Sequence, residues 1–237
     1  MPKTIVTIPT YNERENIGKL LNAIHDLGLV DLETLVIDDR SPDGTGEVVR
    51  EIQSCRPGIH LIVREGQRGR GTAGIAGFCR ALEMGADFVF EMDADFSHHP
   101  RYLPEMVRIL EGGQTDIVLG SRFIPGGRDA DRPLHRRLIS EVARRYTRVC
   151  LGLSPQDVTS GYRGFRAQAL RECEVQTCRS TGPSLLQELL FRAAIKKLVI
   201  RETPIEFMDR ARGQSTLTLS ILIRSLLFVP YLRLRGW

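Results

Sequence analysis

Short apolar runs and longer amphipathic stretches take turns along the first half of the chain. Thr4 to Ile8 reads as a strand. The stretch after it, led by Asn12-Glu13-Arg14-Glu15-Asn16 and running to about Leu27, repeats Ile17, Leu20, Leu21 and Ile24 at helical spacing. Leu35-Val36-Ile37 is a second buried strand. It ends in the turn-rich Asp38-Asp39-Arg40-Ser41-Pro42-Asp43-Gly44-Thr45, ahead of a helix carrying Val48, Val49 and Ile52. Ile59 to Val63 is a third strand, Gly69 to Met84 a helix, and Phe88 to Met92 a fourth strand. Pro100 is placed for a helix start, that helix runs to about Leu110, and Asp116 to Leu119 is a fifth strand. This alternation predicts βαβ units, that is, an α/β protein with a mostly parallel central sheet flanked by helices. Polar residues collect just after the strands, at Tyr11 and Asn12, Asp38 and Asp39, Asp93 and Asp95, Ser121 and Arg122. Open α/β sheets bind ligands beyond the carboxyl ends of their strands, so these four segments are expected to meet in one crevice.

The second half is less regular. Pro133 to Leu151 reads as a helix, Thr159 to Phe165 as a glycine-rich connection, Ser184 to Ala194 as a helix and Leu198 to Met208 as a strand region. Beyond Gly213 the chain turns apolar, but Arg224 interrupts it and no run reaches the roughly 18 apolar residues of a membrane span. A helix resting in a membrane interface fits this tail, and so does a helix packed on a partner or on the body of the protein. The expected division is a catalytic domain over residues 1–212 and an apolar helical tail over 213–237.

Composition supports a folded domain: 42% of the 237 residues are hydrophobic, too many for a disordered chain. Charge is uneven. Residues 122 to 148 hold eight Arg against three acidic residues, a local +5 that exceeds the +4 of the whole chain. Arginine suits planar phosphate recognition, which points to anionic lipid or a lipid phosphate. No zinc-finger spacing or aromatic RNA-binding strand accompanies it, so nucleic acid is not the expected partner. Of the five cysteines, Cys173 and Cys178 are close but lack a second pair at metal spacing. Reduced, mostly buried thiols and an N-terminus without a signal segment give the expectation of a cytoplasmic enzyme.

Asp93-Ala94-Asp95 follows a strongly apolar strand. In extended geometry both carboxylates would point one way, as ligands for Mg²⁺ or Mn²⁺ beside substrate phosphates; a solvated turn is the competing reading. Asp38 could orient its turn while Asp39 accepts from a base or ribose, or Asp43-Gly44 could simply make a loop. Gly69-Arg70-Gly71 could bring backbone to a ligand at a helix start, with Arg68 facing phosphate. His98 and His99 lack a third ligand and read as shaping residues. P-loop, dinucleotide-binding and nucleophile-elbow patterns are absent.

Taken together, the segments resemble the polyprenyl-phosphate (dolichol-phosphate) mannose synthases, inverting glycosyltransferases of the family 2 type with the GT-A fold. The matching stretches are Ile8-Pro9-Thr10-Tyr11-Asn12-Glu13, Ile37 to Thr45, Gly69-Arg70-Gly71-Thr72-Ala73, Met92 to Pro100 and Gly120-Ser121-Arg122. Thr159-Ser160-Gly161-Tyr162-Arg163 and Asp209 to Ser215 extend the likeness over nearly the whole chain. The resemblance implies that Pro9, Tyr11, Glu13, Gly69 and Ala94 line the nucleotide pocket and that Asp39 recognises the guanosine of GDP-mannose. It implies that Asp93 and Asp95 bracket Mg²⁺ or Mn²⁺, and that Arg122, Arg136 (or its neighbour Arg137), Ser140 and Arg210 hold the acceptor phosphate, with sugar contacts near Glu188. It also implies a polyprenyl phosphate acceptor, a membrane surface on the cytosolic side, and room for a small membrane-anchoring subunit.

Two positions depart from the family pattern. Leu185-Leu186-Gln187-Glu188 replaces Phe-Gln-x-Glu, moving the Gln about 100° around the helix. Thr216 stands where the family has Lys, which removes one phosphate-binding charge. A lipid phosphate is already anionic near neutral pH, so this chemistry needs no strong general base. The alternatives are the same mechanism with another donor such as UDP-glucose, a soluble acceptor, and a non-catalytic nucleotide-sugar or lipid-phosphate binding module.

Overall fold

The computed structural model describes residues 1–66, 68–129, 134–208 and 219–235, with the side chains of 134–136, 219–223 and 235 left aside. The first half follows the apolar rhythm closely. Strand β1 (Thr4–Thr10) leads to helix α1 (Arg14–His25), β2 (Leu32–Asp38) to α2 (Thr45–Cys55), and β3 (Ile59–Val63) to α3 (Arg70–Glu83). Then come β4 (Phe88–Glu91), a 3₁₀ turn at Pro100–Tyr102, α4 (Leu103–Glu111) and β5 (Ile117–Ser121). His99, rather than an Asp or Ser, caps the turn: its Nδ1 accepts from the Arg101 backbone N–H at 3.1 Å.

The second half holds β6 (Arg128–Asp129), α5 (Leu134–Leu151), β7 (Arg163–Arg166), α6 (Ala167–Glu172), α7 (Leu185–Ile195), β8 (Ile200–Pro204), β9 (Glu206–Phe207) and α8 (Leu219–Arg235). The main sheet has the order β3-β2-β1-β4-β7-β5-β8. β1, β2, β3 and β4 pair in parallel, as do β5 and β8, while β7 runs antiparallel between β4 and β5. Two apolar layers cover its faces. One gathers Phe78, Ala81, Phe165 and Leu189; the other gathers Ile17, Leu21, Phe90 and Met106.

The glycine-rich connection expected over Thr159 to Phe165 is a correction: its end is the central strand β7. A strand reading Arg-Gly-Phe-Arg lacks the β-branched run that marks a buried strand. Gly164 is there because a Cβ at that position would come within 2.7 Å of three ring carbons of Phe90 on the neighbouring strand. Arg163, fully buried, donates to the carbonyls of Ser160 at 2.5 Å, Leu186 at 2.7 Å and Val158 at 3.2 Å. Burial pulls its pKa down to about 10, still charged near neutral pH.

The boundary at 212/213 lies outside the described residues. Helix α8, on its far side, packs onto the body of the protein: Val229 and Leu232 are buried in the main apolar layer, and Tyr146 of α5 donates to the Leu226 carbonyl at 3.2 Å. No described helix is long and apolar enough to cross a membrane. The five cysteines are free thiols, with Cys55 exposed and Cys173 buried.

Gly164→Ala is expected to lower stability by at least about 2 kcal/mol, the scale of overpacking a tight core. Urea denaturation measures it, and an unchanged midpoint would show that Phe90 can yield.

Candidate active site at the carboxyl ends of the strands

Loops leaving β1, β2 and β4 meet at one edge of the sheet, held by their own polar contacts. Asp38 at the end of β2 is buried and accepts from the Ser41 backbone and hydroxyl and from Thr10, so it does orient the turn. Asp43 accepts from Thr45 and from the Arg14 backbone, and Gly44 at φ 90° enters α2, so this pair makes the loop. Asp39 faces the other way. Its carboxylate receives Arg64 at 2.5 Å and the Gly69 backbone N–H at 3.0 Å, which ties the β2 loop to the start of α3. Half-buried Tyr11 accepts from Arg68 at 2.7 Å, with the guanidinium stacked 4.7 Å from its ring. Glu13 accepts from Asn16, and its N–H donates to Thr45. Pro9, half-buried, lies in register with Ile37 inside β1.

The acidic loop begins where β4 ends, at Glu91. Asp93-Ala94-Asp95 therefore forms a turn, not the extended segment expected, and Phe96 takes a positive φ of 63° to complete it. The turn separates the two carboxylates by environment: the Asp93 side chain is 32% exposed, whereas Asp95 is 2% exposed and accepts from the Ser97 N–H and hydroxyl. His98 still unites them. Its Nδ1 accepts from the Asp93 N–H at 3.1 Å, its ring packs on Tyr162 and Phe207, and both aspartates exert their fields on it. Burial pushes its pKa down against those fields, matching a neutral ring that accepts at Nδ1. This is the shaping role expected from sequence. Ala94 is buried within the turn.

Arg70, which sequence reasoning passed over, reaches into this loop from α3. It donates to Glu91 at 2.5 Å and to Asp93 Oδ1 at 2.7 Å. Gly161 closes over the cluster: a Cβ there would meet His98 at 3.0 Å and Arg70 and Asp93 at 3.4 Å.

Other sequence candidates turn inward. Gly69 and Gly71 do admit close backbone, but the visitor is the protein's own loop. A Cβ at Gly69 would meet the Thr181 carbonyl at 2.5 Å, and one at Gly71 would meet those of Ser180 and Gly182 at 2.6 Å. Glu188 is 1% exposed and accepts from the Arg179 and Ser180 N–H groups and from Arg192. It braces the 179–182 loop. Arg122 is 8% exposed and donates to both oxygens of Asp157 at 2.7 and 2.8 Å and to Thr159. Its charge is thus largely met within the protein. Several arginines of the basic window are likewise paired, Arg144 and Arg145 with Glu141. Ser140 lies half-buried on α5 beside exposed Arg137; Arg136 is placed there by its backbone alone, and Arg210 lies outside the described residues.

Residues 5–173 match glycosyl transferase family 2. The chain belongs to that family. It is 40% identical to the undecaprenyl-phosphate mannosyltransferase of Micrococcus luteus over 217 residues, covering 91% of this chain and 88% of that protein. It is 35% identical to the polyprenol monophosphomannose synthase of Mycolicibacterium smegmatis, over 99% of this chain and 88% of that one. A solved glucosyl-3-phosphoglycerate synthase of Mycobacterium tuberculosis, in complex with Mn²⁺, UDP-glucose and phosphoglyceric acid, superposes with TM-score 0.71 at 22% identity, covering 98% of this chain and 79% of that one. The fold is GT-A, and the chain is a glycosyltransferase of the family 2 type.

Asp157→Asn should cost about 3 kcal/mol, the scale of unpairing a buried guanidinium. If thermal unfolding shows no loss while transfer falls, Arg122 serves the substrate more than the fold.

Proposed function

We propose that the enzyme transfers mannose from GDP-mannose to the phosphate of dolichol or another polyprenol, with inversion, giving a β-linked polyprenyl-phosphate mannose. The observation that carries the reading is the acidic turn after β4, which sets a part-exposed Asp93 beside a buried Asp95 at the edge where the strand-end loops meet. The donor sugar is drawn from the relatives of M. luteus and M. smegmatis, both named as mannose transferases acting on polyprenyl lipids.

Asp93 and Asp95 fit Mg²⁺ or Mn²⁺. They are hard oxygen donors, and these ions commonly take one or two carboxylates together with substrate phosphates. No group of three His, Cys, Asp or Glu able to hold a metal converges among the described residues, so diphosphate oxygens and water would complete the shell. When bound, the ion neutralises the diphosphate leaving group. Asp39, fixed by Arg64 and Gly69, and Tyr11, fixed by Arg68, border the nucleoside. The acceptor phosphate attacks the anomeric carbon in line. It is anionic near neutral pH, so no side chain has to remove a proton.

A second donor, UDP-glucose, is kept because the fixed contacts of Asp39 select no particular base, and a fold neighbour is described with UDP-glucose bound.

The membrane surface enters through α5 and α8. Leu138, Val142 and Val149 on α5 are 64%, 62% and 82% exposed, and Leu227 and Leu234 on α8 are 66% and 85% exposed. Exposed Arg137, Arg145 and Arg233 stand on the same two helices. Apolar side chains with arginines around them suit the anionic cytosolic face of a bilayer, or a small membrane-anchoring subunit.

Radiolabelled GDP-mannose and UDP-glucose, offered with detergent-dispersed polyprenyl phosphate and Mn²⁺, test the reaction. Mannosyl lipid is expected, with Asp93→Asn and Asp95→Asn each lowering transfer at least about 100-fold while keeping the melting temperature. Glucosyl lipid would reject mannose and keep the mechanism. The surface is tested by flotation with anionic vesicles: Leu138→Ser/Val142→Ser/Val149→Ser should leave most of the protein unbound, and undiminished flotation would remove α5 from the reading.

A further inference from the structure

Arg70 occupies the Asp93 carboxylate that the proposed metal would use. Its Nη1 is anchored on Glu91, which is 0% exposed at the end of β4, while Nη2 reaches Asp93 Oδ1 at 2.7 Å. The two carboxylates differ in what they allow. Glu91 cannot leave the sheet, so it holds the guanidinium in place; Asp93 is on a part-exposed turn and can trade partners. Gly161, packed against Arg70, Asp93 and His98, roofs the cluster and limits how far Arg70 can retreat.

Resting on the metal-dependent transfer proposed for this site, we propose that Arg70 is a built-in counter-ion that makes divalent-metal binding depend on the nucleotide diphosphate. A metal arriving alone must take Asp93 from Arg70 and then sit within a few ångströms of a guanidinium left with Glu91 as its one remaining carboxylate here. That repulsion weakens binding in a partly desolvated site. A diphosphate brings negative charge that meets both cations: it completes the metal shell and accepts from the Nη2 that Asp93 has released. Metal and donor therefore load together, and after transfer the departing nucleoside diphosphate takes the metal's main stabilisation with it. The coupling is reciprocal, so the nucleotide also binds better with metal present. Arg70 is thus a positioning residue for the donor complex.

The test counts bound Mn²⁺ by the electron paramagnetic resonance signal of the free ion, in full-length protein, with Mn²⁺ alone and with GDP or UDP added. Wild type should bind Mn²⁺ alone weakly and at least about tenfold more tightly with one of the nucleotides. Arg70→Met should bind Mn²⁺ alone several-fold more tightly than wild type, and the nucleotide's effect should shrink. Arg70→Lys keeps the charge and should retain the wild-type dependence. If Arg70→Met fails a melting check, Arg70→Met/Glu91→Gln removes the stranded carboxylate and carries the same expectation. A folded variant whose affinity for Mn²⁺ alone matches wild type, with nucleotide-assisted binding intact in wild type, would overturn the counter-ion role alone. Absence of Mn²⁺ binding in wild type with either nucleotide would overturn the metal-dependent reading, and this inference with it.

Discussion

A single buried guanidinium organises much of the ground beneath the active edge. Arg163 sits on β7, an interior strand between β4 and β5, and is fully buried. Three backbone carbonyls receive it, from Val158, Ser160 and Leu186. A charge in that position is tolerable only while those acceptors stay in place, so the 158–160 loop and the start of α7 are fixed together. Several contacts around the acidic turn build on these two supports.

From the 158–160 side, Asp157 holds Arg122, and Gly161 lies against His98, Arg70 and Asp93. From the α7 side, Glu188 gathers the Arg179 and Ser180 N–H groups, and the carbonyls beyond them press on Gly69 and Gly71 at the start of α3. The same α3 carries Arg70 to Asp93, and the Gly69 N–H at its start donates to Asp39. The Asp39 loop and the acidic turn are therefore two ends of one braced assembly. Residues such as Glu188 and Arg122, which a motif reading assigns to substrate, also serve it by engaging their charge inside.

This separation of duties has a physical logic. Groups that must meet a mobile partner do best part-exposed, as Asp93 is. Groups that define the crevice do best desolvated and fully engaged, since a buried charge with a satisfied partner is costly to move. Asp95 and His98 lie between, buried but aimed at the same turn.

The strands and helices of the first half are legible in the amino-acid order alone, because apolar period and turn residues there are local and unmixed. So are the converging loops, since those follow from chain direction in a parallel sheet, and the family, through the Asp38 to Thr45 and Met92 to Pro100 stretches. That Arg163-Gly164-Phe165-Arg166 is an interior strand follows from packing between distant segments, because its glycine answers to the Phe90 ring on another strand and its arginine to carbonyls in other segments. The same packing makes Gly69 and Gly71 admit the 180–182 loop, pairs Glu188 and Arg122 internally, and brings Arg70 to Asp93. Each of these depends on a partner distant in the chain, and a charge or a glycine carries the same letter whether its partner is solvent, substrate or the fold.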